Sequence, residues 1–379
     1  MEVEKYFGLS DRIAKWKNIS EFESELASNA KISPVGKKLY AAYYRSMDEA
    51  YYEKGKKLAL ELLNRDKEVP KDQIFEEIYD DMVYCLHRYG LSFQDYIIYG
   101  LYFKSEKGRE SFVSDKLRYY YCDILNAPDV EALMTDKYAC YEVYGGFFKR
   151  EVVPIMQEQD KGKFKDFIKK NREFIYKPLN DHSGHGIVKV KSDDIDVNEW
   201  FEKTVRNNPG IAEELIQQGE PLKGLNPASV NSCRVVTFTI ETEVTIIGAT
   251  LRIGVGNSIK DNAGSGGIYA SVDPSTGVIQ SDAKNYMNEH FLFHPTTHCQ
   301  IIGFQMPEWD KAKALITDMA THRLGTTLIS WDIAYSEKGW CMVEANDNGD
   351  WSLMQSNFQK GRKRELVDLM DRYFNSLKK

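Results

Sequence analysis

Near the C-terminal end of the sequence, "LISWDIAYSEKGWCMVEANDNGDW" places Asp332 and, twelve residues on, Glu344 and then Asn346. Residues i and i+2 of a strand face the same way, so Glu344 and Asn346 can present side-chain oxygens side by side. Asp332 joins them if its strand folds back through "YSEKG" as a hairpin. Hard oxygen donors with neither histidine nor thiolate suit Mg²⁺ bridging nucleotide phosphates. A polar strand end entering a loop would carry the same letters.

A second group stands in "FIYKPLNDHSGHGIVKVK", residues 174–191. Lys177 closes an apolar run ahead of Pro178 and a small polar loop. The Ser183 hydroxyl can donate there, and Gly184 and Gly186 let the backbone approach anionic oxygens closely. No GxxxxGK[ST] occurs in the chain, so this is not a P-loop. A Gly/Ser turn between two strands needs no ligand, and that reading stays open. Lys137, in "TDKYACYEV", is either a second charge on the same phosphates or a solvated surface lysine. In "EELIQQGE" an apolar strand end offers backbone donors and acceptors to an adenine ring, and Glu220 can accept from ribose hydroxyls.

The elements that must hold these residues follow from patterning. "FIYKP", "GIVKVK", "SCRVVTFTI", "VTIIGATLRI" and "WCMVEAN" read as strands. Residues 310–324 and 360–377 read as helices, the first placing Ala314, Ile316, Met319, Ala320 and Leu324 on one side. Residues 1–130 read as helical, with Ile74, Ile78, Met82 and Leu86 at four-residue steps beside Phe75 and Val83. The tyrosines of that region read as core more than as a binding surface. The fold class is α+β, divided into a helical unit (1–130), a lobe with the phosphate loop (131–210) and a lobe with the hinge and acid cluster (211–379).

Composition narrows the partners. The 379 residues are 42% hydrophobic and 28% charged, and 50 Lys+Arg against 57 Asp+Glu leave a net charge of -7. That argues against nucleic acid and anionic membrane surfaces. No stretch approaches the ~18–20 apolar residues of a membrane span, and the first twenty residues lack a signal-peptide core, so a cytoplasmic protein is expected. The six cysteines, without CxxC pairs, read as reduced packing residues. His290, His294, His298 and Cys299 invite a zinc reading, but Pro295 interrupts the helix that would stack them. "QKGRKRE" (359–365) reads as a solvated helix start.

Taken in order, "DK", "YKP" with its glycine loop, "EELI" with Glu220, and Asp332 with "EAN" resemble the ATP-grasp superfamily from about residue 130 onward. Beside the D-alanine:D-alanine ligase pattern, Lys137 and Lys177 fall on the two phosphate-binding lysines and Ser183 on a serine of the mobile loop, with Gly184 next to it as a further expected nucleotide-binding residue. Glu213 and Ile216 fall on the adenine hinge, Glu220 on the ribose acid, and Asp332, Glu344 and Asn346 on the metal triad. "SCRVVTFTIETEVTIIGATLRIGVGNSIKDNAGSGG" is similar to the ribosomal-protein glutamate ligase branch, which implies phosphate- and substrate-binding roles for Arg234, Arg252 and Asn262. "LNPASVNSCRVVT" and "HPTTHCQIIGFQMPEW" are similar to the sugar-transfer-associated ATP-grasp family. Ser330 departs from the D-alanine ligase pattern, which has an arginine there.

The resemblance implies two α+β lobes clamping ATP and Mg²⁺ behind a helical N-terminal domain. It implies an ADP-forming carboxylate-amine/thiol-type ligase that condenses a small-molecule or glycan-linked carboxylate with an amine or hydroxyl, in polysaccharide or cell-surface glycan biosynthesis, beside glycan-assembly enzymes. A kinase of a sugar or other hydroxyl, or a non-catalytic nucleotide-binding partner of glycosyltransferases, would use the same nucleotide site.

Overall fold

The computed structural model of the chain describes residues 49–65, 75–179 and 186–377. Seven helices come first among them: α1 (Glu49–Arg65), α2 (Phe75–Tyr89), α3 (Phe93–Ile98), α4 (Glu106–Glu110), α5 (Asp115–Leu125), α6 (Val130–Thr135) and α7 (Lys137–Phe148). Ser92, Ser105 and Ser114 start α3, α4 and α5 by accepting from the third backbone N–H of each helix, which satisfies donors that no helical carbonyl reaches. The α2 stripe is buried at Ile78, Met82 and Val83; Leu86 is partly buried, and Ile74 lies outside the described residues. Tyr79, Tyr84, Tyr96, Tyr99 and Tyr121 are core, as the sequence suggests, whereas Tyr119 is exposed and the tyrosines of "YAAYY" lie outside the described residues.

An antiparallel sheet of order β1-β4-β2-β3 follows, built from β1 (Val152–Ile155), β2 (Glu173–Pro178), β3 (Val188–Lys191) and β4 (Gly210–Glu214). Helices α8 (Lys161–Lys170) and α9 (Val197–Asn207) cover it, burying Phe164, Phe167, Phe174 and Phe201 in one cluster.

The larger sheet is antiparallel throughout, with order β11-β10-β5-β6-β7-β8-β9. Its strands are β5 (Ser232–Ile240), β6 (Glu243–Ile253), β7 (Ile268–Val272), β8 (Ala283–Lys284), β9 (His290–Phe291), β10 (Leu328–Ser336) and β11 (Gly339–Asn346), with the short α10 (Leu222–Leu225) ahead of them. Alternation decides its two faces. Cys233, Val235, Leu251, Trp331 and Ile333 pack with Tyr144 of α7 and with α11 (Trp309–His322). Val236, Phe238 and Leu328 pack with α5, α12 (Ser352–Ser356) and α13 (Lys363–Ser376).

The sequence misjudged one helix face. On α11 the buried residues are Trp309, Ala312, Ile316, Met319 and Ala320, a stripe at helical spacing, whereas Ala314 is exposed and Leu324 lies beyond the helix, 48% exposed. Ala314 is two residues from Ala312 and so about 200° around the helix from it. All six cysteines are free, and burial raises the Cys122, Cys140 and Cys233 thiols to about 12. Among the described residues no helix is long and apolar enough to cross a membrane.

Candidate active site

Asp332 and Glu344 are direct partners in the β10–β11 hairpin, and Ser330 and Asn346 are the next pair on the same face. The hairpin turns tightly between Ser336 and Gly339, and a bulge beside Asp332 leaves Val343 as the extra residue. On the other side of β10, Asp332 faces Arg234 of β5, which in turn faces Thr250 of β6. One polar row therefore crosses four strands: Glu344, Asp332, Arg234, Thr250.

Asp332 is fully buried and clamped by two arginines. Arg234 donates from Nε and Nη2 to its two oxygens, each at 2.8 Å, and Arg252 adds Nη2 at 2.9 Å. Burial alone would raise this carboxyl; the arginines outweigh it and hold Asp332 well below the usual range. Glu344 behaves oppositely. It is 43% exposed on its open side, and its Oε1 lies 3.9 Å from Arg234. Partial desolvation and the Asp332 charge push its pKa up, while Lys177 and Arg234 pull the other way. Two facing carboxylates of this kind are relieved by a cation.

The donor set fits Mg²⁺. Among the described residues no three His, Cys, Asp or Glu side chains gather as a metal cage, but Mg²⁺ is ordinarily held by one or two carboxylates together with substrate phosphates. Asp332, Glu344 and the Asn346 amide oxygen supply that kind of set. The buried Asn346 Nδ2 has no hydrogen-bond partner.

The smaller sheet meets this row with a second clamped acid. Glu213 is buried on β4; Lys177 of β2 reaches its Oε1 at 2.9 Å, and Arg150 donates to its Oε2 at 3.0 and 2.8 Å. Burial would raise Glu213, but Arg150 and then Lys177 bring it down to about 2. Arg150 also donates to the carbonyls of Phe148, Met342 and Val343, so it ties the smaller sheet to the bulge beside Glu344. Arg150 stands in no motif of the sequence. A lysine-arginine pair ahead of the apolar "EVVPI" is the one local sign of it.

Lys137 opens α7 because Asp136 caps it, accepting from Tyr138 and Ala139. Its Nζ donates to Leu179 O at 3.2 Å, which sets it beside the end of β2. The Glu213 carboxylate is committed to Lys177 and Arg150, so the adenine-hinge expectation at this strand edge rests on backbone groups. Ile216 is half-buried beyond β4, and Glu220 is exposed. Between them the chain crosses to the large sheet, where Gly219 N donates to Tyr335 O and Glu337 N to Gln217 O. Ser183 and Gly184, with His182 and His185, lie outside the described residues.

Arg252 also donates to Ser232 Oγ, at 3.0 Å from Nε and 2.6 Å from Nη2. That hydroxyl in turn donates to Asp261, next to Asn262. Asn262 Oδ1 accepts from Gly264 N at 2.9 Å, ordering the loop that follows β6. His294 is wholly buried, donating from Nε2 to Gly254 O and accepting at Nδ1 from Thr296 and Thr297, so both ring nitrogens serve the fold.

A family model described as sugar-transfer associated ATP-grasp matches residues 116–368. The chain belongs to that family. Its mixed helix and strand architecture is thus an ATP-grasp fold preceded by helices. No curated protein matches the chain. Among solved structures it is similar to D-alanyl-alanine synthetase A from Vibrio cholerae O1 biovar eltor, with 13% identity, 66% of this chain and 68% of that one covered, and TM-score 0.43. It is also similar to the ATP-grasp ligase PsnB complexed with minimal precursor, Mg and ADP (12%, 71% and 69%, TM-score 0.40). A third is carboxyaminoimidazole ribonucleotide synthase from Aspergillus clavatus complexed with ATP (13%, 57%, TM-score 0.36), of whose length the match spans 45%.

Proposed function

We propose that this member of the sugar-transfer associated ATP-grasp family is a cytoplasmic, ADP-forming ligase that activates a carboxylate as its acylphosphate and condenses it with an amine or hydroxyl in glycan assembly. The observation that carries this reading is the polar row itself. An acid pair able to hold Mg²⁺ stands beside two arginines, within the field of Lys177 from the other sheet. Mg²⁺ held by Asp332, Glu344 and Asn346 would offset the charge of the nucleotide phosphates.

The residues divide the work. Lys137 and Lys177 face the phosphates, with Ser183 and Gly184 of the following loop. Glu220 and the backbone at Glu213 and Ile216 take the nucleoside. Asp332, Glu344 and Asn346 form the metal side. Arg234 and Arg252 sit where negative charge develops as the carboxylate attacks the γ-phosphorus and later as a nucleophile displaces phosphate, and positioned charge of this kind is worth most in a water-poor site. Asn262 orients the substrate.

The test is hydroxamate formation with Mg-ATP, hydroxylamine and a panel of uronic acids, amino acids and short peptides, followed with ADP release. Hydroxamate matching ADP supports the ligase. ADP without hydroxamate, in the presence of a hydroxyl-bearing glycan, moves the assignment to a kinase.

A further inference from the structure

The turn after Asn346 folds back onto the polar row. Gly349 permits this: a Cβ there would lie 2.4 Å from Ser330 Cβ and 3.3 Å from Asn346 Cβ. The next residue, Asp350, thereby follows directly on the contact with Ser330 and Asn346, and its charge acts on Arg234. Its carboxylate accepts from Ser352 N at 2.7 Å, Ser352 Oγ at 2.8 Å and Tyr286 OH at 3.3 Å. Unlike Asp332 and Glu213, it makes no ion pair among the described residues, although its charge acts on Arg118 and Arg234. Beneath Gly349, the fully buried Ser330 hydroxyl also lacks any hydrogen-bond partner.

Tyr286 forms the wall behind Asp350. Its ring meets Tyr269 edge-on at 6.3 Å, and Gly264 of the Asn262 loop faces it closely enough that an added Cβ would touch the ring at 3.7 Å. Its carbonyl accepts from Gln94 Nε2 at 2.5 Å, so α3 of the helical region holds this wall in place. Asp350, Tyr286 and the Asn262 loop thus bound one flank of the Arg234 site, and the helical region supports that flank.

We infer that Asp350, backed by Tyr286, receives the ammonium group of the second substrate, making the acceptor an amine. This deepens the ligase reading and rests on it. A carboxylate that makes no ion pair among the described residues, beside a metal site, attracts the one cationic reactant of such a condensation. Asp350 takes a proton from the ammonium, which frees the nitrogen lone pair. The nitrogen bonds to the acyl carbon, the bond from that carbon to the bridging oxygen breaks, and phosphate leaves with that electron pair. The amide nitrogen then loses its second proton to water. Asp350 passes its proton to the departing phosphate, so amide, hydrogen phosphate and one net proton result.

The test compares two nucleophiles on the same acylphosphate. Full-length wild type and the variants Asp350→Asn, Asp350→Glu and Tyr286→Phe are supplied with Mg-ATP and a carboxylate that yields hydroxamate. They then receive either hydroxylamine, mostly uncharged at pH 7.5, or a panel of ammonium, methylamine, ethanolamine and glucosamine. Asn keeps an acceptor for Ser352, so a purely structural role leaves the product ratio unmoved. The expected result is amide from at least one amine in wild type. D350N should lower the amide-to-hydroxamate ratio tenfold or more, chiefly through KM for the amine, with partial recovery in D350E and a smaller loss in Y286F. An unchanged ratio in D350N with wild-type circular dichroism overturns the inference. So does a wild type that makes hydroxamate but no amide, and in both cases the ligase reading stands. A wild type that makes no hydroxamate from any carboxylate overturns the ligase reading, and the inference with it.

Discussion

Each sheet of this protein brings a buried carboxylate held between two cations to the site, and the two clamps differ in what surrounds them. Around Glu213 the arrangement is closed: Lys177 and Arg150 take its oxygens, and the remaining Arg150 donors end on the carbonyls of Phe148, Met342 and Val343. Around Asp332 it is open. Arg234 and Arg252 take the acid, but Glu344 beside it is driven away from its charged form, and Asn346 Nδ2 and Ser330 Oγ lack partners. A satisfied network holds two sheets together; an unsatisfied one has room for ligand groups.

That contrast can be broken by measurement. The largest effect should be on turnover: Glu344→Gln removes charge from the open clamp and should cut ATP-dependent hydroxamate formation roughly a hundred- to a thousandfold, with the thermal midpoint held near wild type. A large drop in the midpoint would make the open clamp structural as well. Arg150→Met, at the closed clamp, should destabilise by about 3–5 kcal/mol in urea titrations, because it strips a buried acid of one partner. A loss below ~1 kcal/mol would show that the two sheets are tied elsewhere.

The clamped Glu213 also predicts an acid limit. Its folded pKa of about 2 lies below the usual 4.5, so its contribution of about 3 kcal/mol is present above pH 4.5 and lost as pH falls toward 2. Asp95, buried in the helical region with no ion pair among the described residues, has the opposite sign. Burial first, then Asp115 and Asp350, raise it to about 7 against the bonds from Ser92. Its share is present below pH ~4 and lost as pH rises through 7. Stability measured from pH 2 to 8 in wild type and in Asp95→Asn should separate the two, the variant losing the decline on the neutral side while keeping the acid one. The smallest effect belongs to Ser330→Ala, which deletes an unpartnered hydroxyl and should leave stability unchanged or raise it by up to ~1 kcal/mol. A loss beyond 1 kcal/mol would mean that Ser330 has a partner in solution.

Much of this was legible in one dimension because it depends on local periodicity. Alternation in "SCRVVTFTI" and "WCMVEAN" placed the strands at 232–240 and 339–346, and the short turn between Asp332 and Glu344 made their pairing a matter of counting. The face of α11 was harder, since alanines satisfy either side of a helix and only the neighbouring sheet distinguishes Ala312 from Ala314.

By itself, then, the sequence determined the strands that alternation marks, the order of the ATP-grasp motifs, and the hairpin that sets Asp332, Ser330, Glu344 and Asn346 on one face, since each follows from neighbours a few residues apart. Only the tertiary structure decided which charges neutralise which. Arg150 finds Glu213 across 63 residues, Arg234 finds Asp332 across 98 and Gln94 finds Tyr286 across 192. Such pairings depend on where whole sheets and helices come to rest, and no local pattern in the chain records them.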